Sequence, residues 1–192
     1  MCVERSLTKF YNLVEALESL PSIGKKSAMR LAFYMVRESP MDALRIAHAI
    51  EDALSSTRLC QKCLGLSEDE LCHICSDDLR DKGVLCLVQG ARDISLIEES
   101  GEYEGMYMVF DQLSESNLAH LKDLIGEYGT KELIFAFTPS LQNEALLLYI
   151  EDQLQHFDLK FTKIAQGVPT GVRLENVDSL SLAKAIADRV EV

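Results

Sequence analysis

The stretch Cys60-Gln61-Lys62-Cys63-Leu64-Gly65-Leu66-Ser67-Glu68-Asp69-Glu70-Leu71-Cys72-His73-Ile74-Cys75 decides how this chain is read. Two Cys-x2-Cys pairs stand eight residues apart. Each pair can turn two thiolates toward one ion, and two such knuckles close the tetrahedron of four sulfurs that structural Zn²⁺ takes. Cys60, Cys63, Cys72 and Cys75 are therefore the expected ligands of one structural zinc per chain. A closed four-thiolate set leaves no open position and activates no water. The competing readings are a redox dithiol pair, an iron–sulfur cluster and four unrelated buried cysteines. His73 reads as a bystander, and Ser67-Glu68-Asp69-Glu70 as a solvated loop tip. Apolar periodicity is nearly absent from 60 to 75, so the block is expected to have little to fold around except metal. Cys2 reads as a terminal residue and Cys86 as part of a strand core.

On the N-terminal side of this block the pattern is helical. Leu7, Phe10, Tyr11, Val14 and Leu17 paint one apolar stripe over residues 6–19. Leu20-Pro21-Ser22-Ile23-Gly24 punctuates it, with Gly24 free to take positive φ. A second helix is expected from 25 to 37, burying Ala28, Leu31, Ala32 and Met35. A third starts at Ser39-Pro40, an N-cap followed by proline at the first helical position. It would carry Leu44, Ala47, Ile50 and Leu54 inward. The Gly-containing turn opens the second helix, whose free N–H groups and dipole can hold a phosphate. Lys26, Arg30 and Arg37 follow at i, i+4 and i+11, nearly one line at 100° per residue; Arg5 and Lys9 add a smaller basic pair. Gly24, Lys25, Lys26, Arg30 and Arg37 are the candidate DNA contacts, of a kind that positions a protein on a backbone without reading bases. A helical hairpin with a solvated basic face fits the spacing equally well.

On the C-terminal side, apolar runs alternate with helical stretches. Residues 84–88, 106–110, 132–137 and 159–165 read as strands; 91–99, 116–126 and 141–155 read as helices, with Ser116 and Ser140 as N-caps. Such alternation predicts a mostly parallel sheet with both faces covered. Met106 and Met108 are expected in its core. Residues 178–189 read as a last helix with Leu182, Ala183, Ile186 and Val190 on one side. His48, His73, His120 and His156 match no ligand spacing. The fold class is α/β overall, divided as a helical hairpin region at 1–56, a four-Cys module at 57–79, an α/β domain at 80–172 and a C-terminal segment at 173–192.

Composition sets bounds. Of 192 residues 47% are hydrophobic and 26% charged, the balance of a globular chain, with no apolar run long enough for a membrane span and no signal-peptide core at the N-terminus. A cytoplasmic protein is the expectation. The net charge of −12 is uneven. Residues 1–60 hold eight basic against seven acidic side chains, and the other 132 hold eleven against twenty-four. The front can meet a polyanion; the back suits a basic partner.

The hairpin LPSIGKKSAMRLAFYMV resembles the helix-hairpin-helix DNA-binding motif, with Ser22 in place of its first glycine. Together with CQKCLGLSEDELCHIC, ESGEYEGMYMVFDQLS, TPSLQNEALLLYI and AQGVPTGVRLENVDSLSLAKAI it resembles, over essentially the whole chain, the RecR family of bacterial recombination mediators. The resemblance implies a Toprim α/β domain, no known enzymatic activity, and dimers or ring-like tetramers able to encircle DNA. It implies work with RecO and RecF in loading RecA at gaps. It assigns zinc to the four cysteines, DNA contact to Lys26 and Arg30, and a partner-binding role to Glu144. The loop 166–171 and the last helix would help build an oligomer contact. Gln89 and Asn143 replace the family's Glu and Gly, and Val172-Arg173-Leu174-Glu175-Asn176 departs from its usual Gly-Asp-Leu-Glu-Tyr. An active Toprim enzyme, primase- or nuclease-like, would need carboxylates after the first and third strands. Gln89 and Thr138-Pro139-Ser140 offer none, although Asp93, Asp111 and Glu144 remain. A zinc-containing adaptor without DNA contact is the third reading.

Overall fold

A computed structural model describes residues 7–165, 168 and 171–187. The chain divides into two compact units, Met1–Thr57 and Arg58–Val192.

The first unit is helical. α1 (Thr8–Glu18) and α2 (Lys25–Phe33) form a hairpin. Val14, Ala28 and Ala32 are its buried residues, flanked by Phe10, Leu13, Leu17, Ile23 and Met29. Two alanines on α2 let the helices approach closely, and the Phe10 and Phe33 rings meet edge to face at 4.8 Å. The expected helix from 25 to 37 is not uniform: a π-helical turn occupies Tyr34–Glu38, so the 100° step holds only to Phe33 and the line from Lys26 and Arg30 does not run straight to Arg37. α3 (Pro40–Ser56) starts where expected, but the Ser39 hydroxyl donates to Asp42 Oδ2 at 2.6 Å and caps no backbone N–H. Leu44, Ala47, Ile50 and Leu54 were expected inside; all four are exposed, and no described α3 side chain is buried. Two helices with alanine at their contact form a small core of their own, and the side chains of α3 stay outside it.

The second unit opens with a two-residue antiparallel ribbon, β1 (Arg58–Leu59) with β2 (Leu66–Ser67), and the short α4 (His73–Ser76). There follow β3 (Asp81–Val88), α5 (Ala91–Ser100), β4 (Gly105–Val109), α6 (Glu115–Tyr128), β5 (Glu132–Ala136), α7 (Leu141–Gln153) and β6 (Lys160–Lys163). The four long strands make one parallel sheet in the order β4-β3-β5-β6. A 3₁₀ turn (Leu174–Asn176) and α8 (Ser179–Ala187) complete the described chain. Strands buried on both faces read as continuous apolar runs, and Leu85–Val88 and Met106–Val109 are fully buried, Met106 and Met108 among them. Cys86 lies in the same core. The N-cap of α6 is Ser114, whose hydroxyl accepts from Asn117 N, while Ser116 sits inside the first turn; Ser140 caps α7 as expected. Cys2, most of the 166–171 loop and Val190 lie outside the described residues.

The cysteine block does not fold around metal alone. Cys60, Cys63, Cys72, Cys75 and Ile74 belong to the same buried cluster as β3, β4 and β5. β4 is an edge strand, yet all five of its residues are buried. The Cys63 carbonyl accepts from Val109 N at 2.8 Å, closing the end of that edge. An open edge is a hazard that proteins cover, and here the cysteine loop helps cover it. Arg80, just past the block, ties it down further. Its guanidinium reaches Glu98 Oε1 at 2.6 Å and the Gly105 carbonyl at 2.8 Å, and the Tyr107 hydroxyl donates to the same carboxylate at 2.6 Å. Burial pushes the Glu98 carboxyl up, but Arg80 and Tyr107 outweigh it and hold it below the usual carboxylate range.

Candidate metal centre and nucleic-acid interface

The four cysteines come together as their spacing predicts. The first knuckle turns through Leu64 at φ 59°, a strained value for leucine, and the second uses Cys72 as the N-cap of α4. Cys60 N donates to the Gly65 carbonyl at 2.8 Å and Gln61 N to the Glu70 carbonyl at 2.9 Å, which draws the two knuckles face to face. Four sulfurs held tetrahedrally about 2.3 Å from one ion stand about 3.8 Å apart. Here all four lie within 4.8 Å of one another, and Cys63 and Cys72 are 3.6 Å apart. The donor set and its size fit a single four-coordinate ion. Among the described residues this is the one cluster of three or more ligating side chains.

Backbone amides prepare the sulfurs for negative charge. Cys72 N donates to Cys60 Sγ at 3.3 Å and Gly65 N to Cys63 Sγ at 3.4 Å. Burial pushes the Cys60 thiol up, but the amides of Cys72, Cys63 and Lys62 outweigh it and bring it down to about 7. Burial pushes Cys72 up to about 11. The Cys63 thiol is raised by its hydrogen bond with Cys75 and by burial, because four neighbouring thiols without an ion cannot all ionise. A cation reverses that logic and releases the protons.

α6 buttresses the centre through contacts that no local pattern announces. His120 Nε2 meets the Lys62 carbonyl at 2.6 Å. Lys62 Nζ bonds Glu127 at 2.6 Å and stands 5.4 Å over the Tyr128 ring. The Tyr128 hydroxyl is buried beside the Cys75 sulfur and has no hydrogen-bond partner. Leaving such a group unpaired costs about 1–3 kcal/mol.

At the hairpin, the left-handed residue is Ser22 (φ 66°), while Gly24 is extended at φ −88° and serves as the N-cap of α2. The positive φ expected of Gly24 thus belongs to the position where the motif carries its first glycine. Gly24 offers no side chain to cap the helix, and no acid occupies its first turn. Lys25 and Lys26 occupy that turn instead, and with Arg30 and Arg37 they are exposed. Among the described residues none of these four joins a salt bridge.

In the second unit, β3 and β5 send their following helices in opposite directions, so a crevice opens beyond their carboxyl ends, the usual ligand position in an open parallel sheet. Gln89, Asp111, Thr138, Ser140 and Asn143 line a cleft of about 590 Å³ there. Gln89 Oε1 accepts from Thr138 N at 3.0 Å and Asn143 Nδ2 at 3.2 Å, and Gln89 Nε2 donates to Asn143 Oδ1 at 3.3 Å. The two departures from the family pattern are therefore one feature, a pair of amides satisfying each other. Asp111 accepts from Asn117 at 3.3 Å. Glu144, half-buried in the first turn of α7, pairs with Lys163 at 3.4 Å. Among the described residues no helix is long and apolar enough to cross a membrane.

Comparison with known proteins agrees with this arrangement. The family model described as RecR, helix-hairpin-helix matches residues 10–54. The recombination protein RecR of a Nitratiruptor species is 70% identical over 186 residues, 97% of this chain and 98% of that protein. The RecR of a Helicobacter pylori strain is 47% identical over 188 residues, 98% of this chain and 97% of its own. That of a Campylobacter jejuni subsp. jejuni strain is 46% identical over 188 residues, 98% of this chain and 99% of its own. A helical hairpin, a four-cysteine centre and a parallel sheet, matched end to end at such identity, place the chain in the RecR family of recombination proteins.

Proposed function

We propose that the protein is a non-enzymatic mediator of recombinational repair. It binds DNA through the N-terminal hairpin, closes around it as a homo-oligomeric clamp, and acts with RecO and RecF to load RecA at single-stranded gaps. The observation that carries the DNA contact is the charge at the start of α2. Cations there oppose the helix dipole, at a cost of about 0.3–1 kcal/mol each. Like charges four residues apart, as at Lys26 and Arg30, cost about 0.2–0.5 kcal/mol more. An uncapped helix start with two lysines and no acid is poorly built for water and well built for a phosphate.

The exposed apolar row of α3 supports assembly. Leu44 and Leu54 are 53% and 79% exposed, and a second copy of the chain is the occupant this reading assigns to them. We infer that the ion is zinc, because four thiolates without an open position suit a structural zinc. When bound, it supplies a cross-link between the knuckles. The chain's own residues then do the rest: Cys63 holds the end of β4, and Arg80 holds the exit of the module. The α/β unit is read as a Toprim sheet whose first carboxylate position is a neutral amide, Gln89. Metal-assisted phosphoryl transfer needs hard carboxylate ligands, and position 89 offers an amide engaged by Thr138 and Asn143. Glu144, on the acidic part of the chain, is the proposed partner-binding residue, and the proposed setting is the cytoplasm.

The test is DNA affinity across a salt series for the wild type and for Lys26→Glu/Arg30→Glu. Charge reversal is expected to lower affinity at least about 10-fold and to reduce the slope of log K against log salt by about 2, since two phosphate contacts are lost. Metal content and native mass should not change. Unaltered affinity and slope would overturn DNA contact by the hairpin and favour the adaptor reading, which the acidic balance beyond residue 60 otherwise supports only weakly.

A further inference from the structure

Each sulfur of a four-thiolate centre carries charge into a buried site, and each needs a donor to spread it. Two have one from the backbone. Cys60 receives Cys72 N and Cys63 receives Gly65 N. Among the described residues no backbone amide is bonded to the sulfurs of the second knuckle, Cys72 and Cys75. The one buried side-chain polar atom without a partner, again among the described residues, is the Tyr128 hydroxyl, and it lies beside the Cys75 sulfur. A sulfur lacking a backbone donor and a donor lacking an acceptor stand together. The ring is also held in place: Lys62, between the ligands of the first knuckle, stands over its face and is anchored by Glu127. Residue 128 is thereby fixed relative to the first knuckle.

We propose that Tyr128 is a positioning residue of the metal centre, donating a hydrogen bond to the Cys75 thiolate once an ion has removed its proton. The inference rests on the reading of the four cysteines as a metal site. The hydroxyl gives the second knuckle a donor, draws charge off Cys75 and fastens that knuckle to the end of α6. Hydrogen bonds from outside the ligand set commonly change metal affinity about 10–100-fold, and tyrosine is the group placed to do so here.

The experiment loads full-length protein with Co²⁺ and follows the sulfur-to-cobalt charge-transfer band, together with competition by a chelator. Tyr128→Phe keeps the ring and its contact with Lys62. It is expected to bind one Co²⁺ per chain with the four-thiolate band displaced to longer wavelength, because the sulfur electrons lie higher without the donor. Its affinity should fall about 10-fold. Lys62→Met, which removes the cation and leaves the hydroxyl, should keep the band where it is. The melting temperature gives an independent sign. An idle buried hydroxyl would make the phenylalanine variant equally or more stable when loaded, whereas a working donor makes it less stable. An unmoved band with unchanged affinity, an equal displacement in Lys62→Met, or a loaded Tyr128→Phe protein of undiminished stability would overturn the role of Tyr128 while leaving the metal site intact. A wild-type chain that takes up no Co²⁺ would overturn both.

Discussion

The two units of this chain treat their apolar residues in opposite ways. The α/β unit buries nearly every large side chain of β3 and β4 and adds four cysteines to the same cluster. The helical unit buries Val14, Ala28 and Ala32 and leaves a full helix, α3, with none of its described side chains buried. The difference separates two sources of stability. One unit closes its core from within, provided an ion joins its sulfurs. The other keeps a thin core and displays charge at one helix start and apolar surface along another helix, so its own burial contributes less.

Removing the ion should have the largest effect and touch the units unequally. Structural zinc contributes about 10–16 kcal/mol to the folding of small zinc-finger peptides at neutral pH; in a unit that also owns a sheet, part of that should suffice to move its melting far. Chelation, or Cys75→Ser, is expected to lower the melting temperature of the α/β unit by more than about 10 °C and to expose β4, whose edge the Cys63 carbonyl closes. Helical circular dichroism from α1 and α2 should persist. Simultaneous loss of both units in one transition would break the comparison.

The same substitution placed in each unit sharpens it. Leu121, fully buried on α6, should cost about 2–5 kcal/mol as Leu121→Ala. Leu54→Ala should change the stability of a dilute chain by no more than about 0.5 kcal/mol, because Leu54 is 79% exposed. At concentrations where the protein assembles, Leu54→Ala should weaken the oligomer, as read by sedimentation. Equal costs in dilute solution would mean that α3 has a partner within its own chain.

This contrast also explains what could be read in advance. The sheet was legible because its strands are buried on both faces and its runs are uniformly apolar, and the cysteines because ligand spacing within a knuckle is local. The stripe on α3 was legible as a stripe, but periodicity reports that a face is apolar, not whether the chain supplies its cover. The Ser114 cap was missed by two residues, since Ser114-Glu115-Ser116 offers two hydroxyls and only the turn geometry chooses between them. Gln89 and Asn143 were each visible as departures, yet their pairing spans 54 residues and needs the crossover of β3 and β5 to bring them together. Tyr128 carried no signal at all: a tyrosine near the end of an amphipathic helix looks like any other until the knuckles are placed beside it.

The smallest effect concerns the turn that joins α1 to α2. Ser22 adopts φ 66°, where an L-residue pays about 1–2 kcal/mol and glycine pays nothing. Glycine in turn loses about 0.5–1 kcal/mol more conformational entropy on folding. The balance predicts that Ser22→Gly stabilises the helical unit by about 0.5 kcal/mol, read as slower amide exchange in α1 and α2, with no change in the α/β unit. Among the described residues no hydrogen bond to the Ser22 hydroxyl offsets the strain. The same variant removes a side chain from the turn that would approach a phosphate, so DNA affinity should rise together with stability if the hairpin is the contact. A gain in stability without a gain in affinity would count against the hairpin turn as a DNA contact. A loss of stability would mean that the extra freedom glycine gives the unfolded chain outweighs the strain that Ser22 carries at φ 66°.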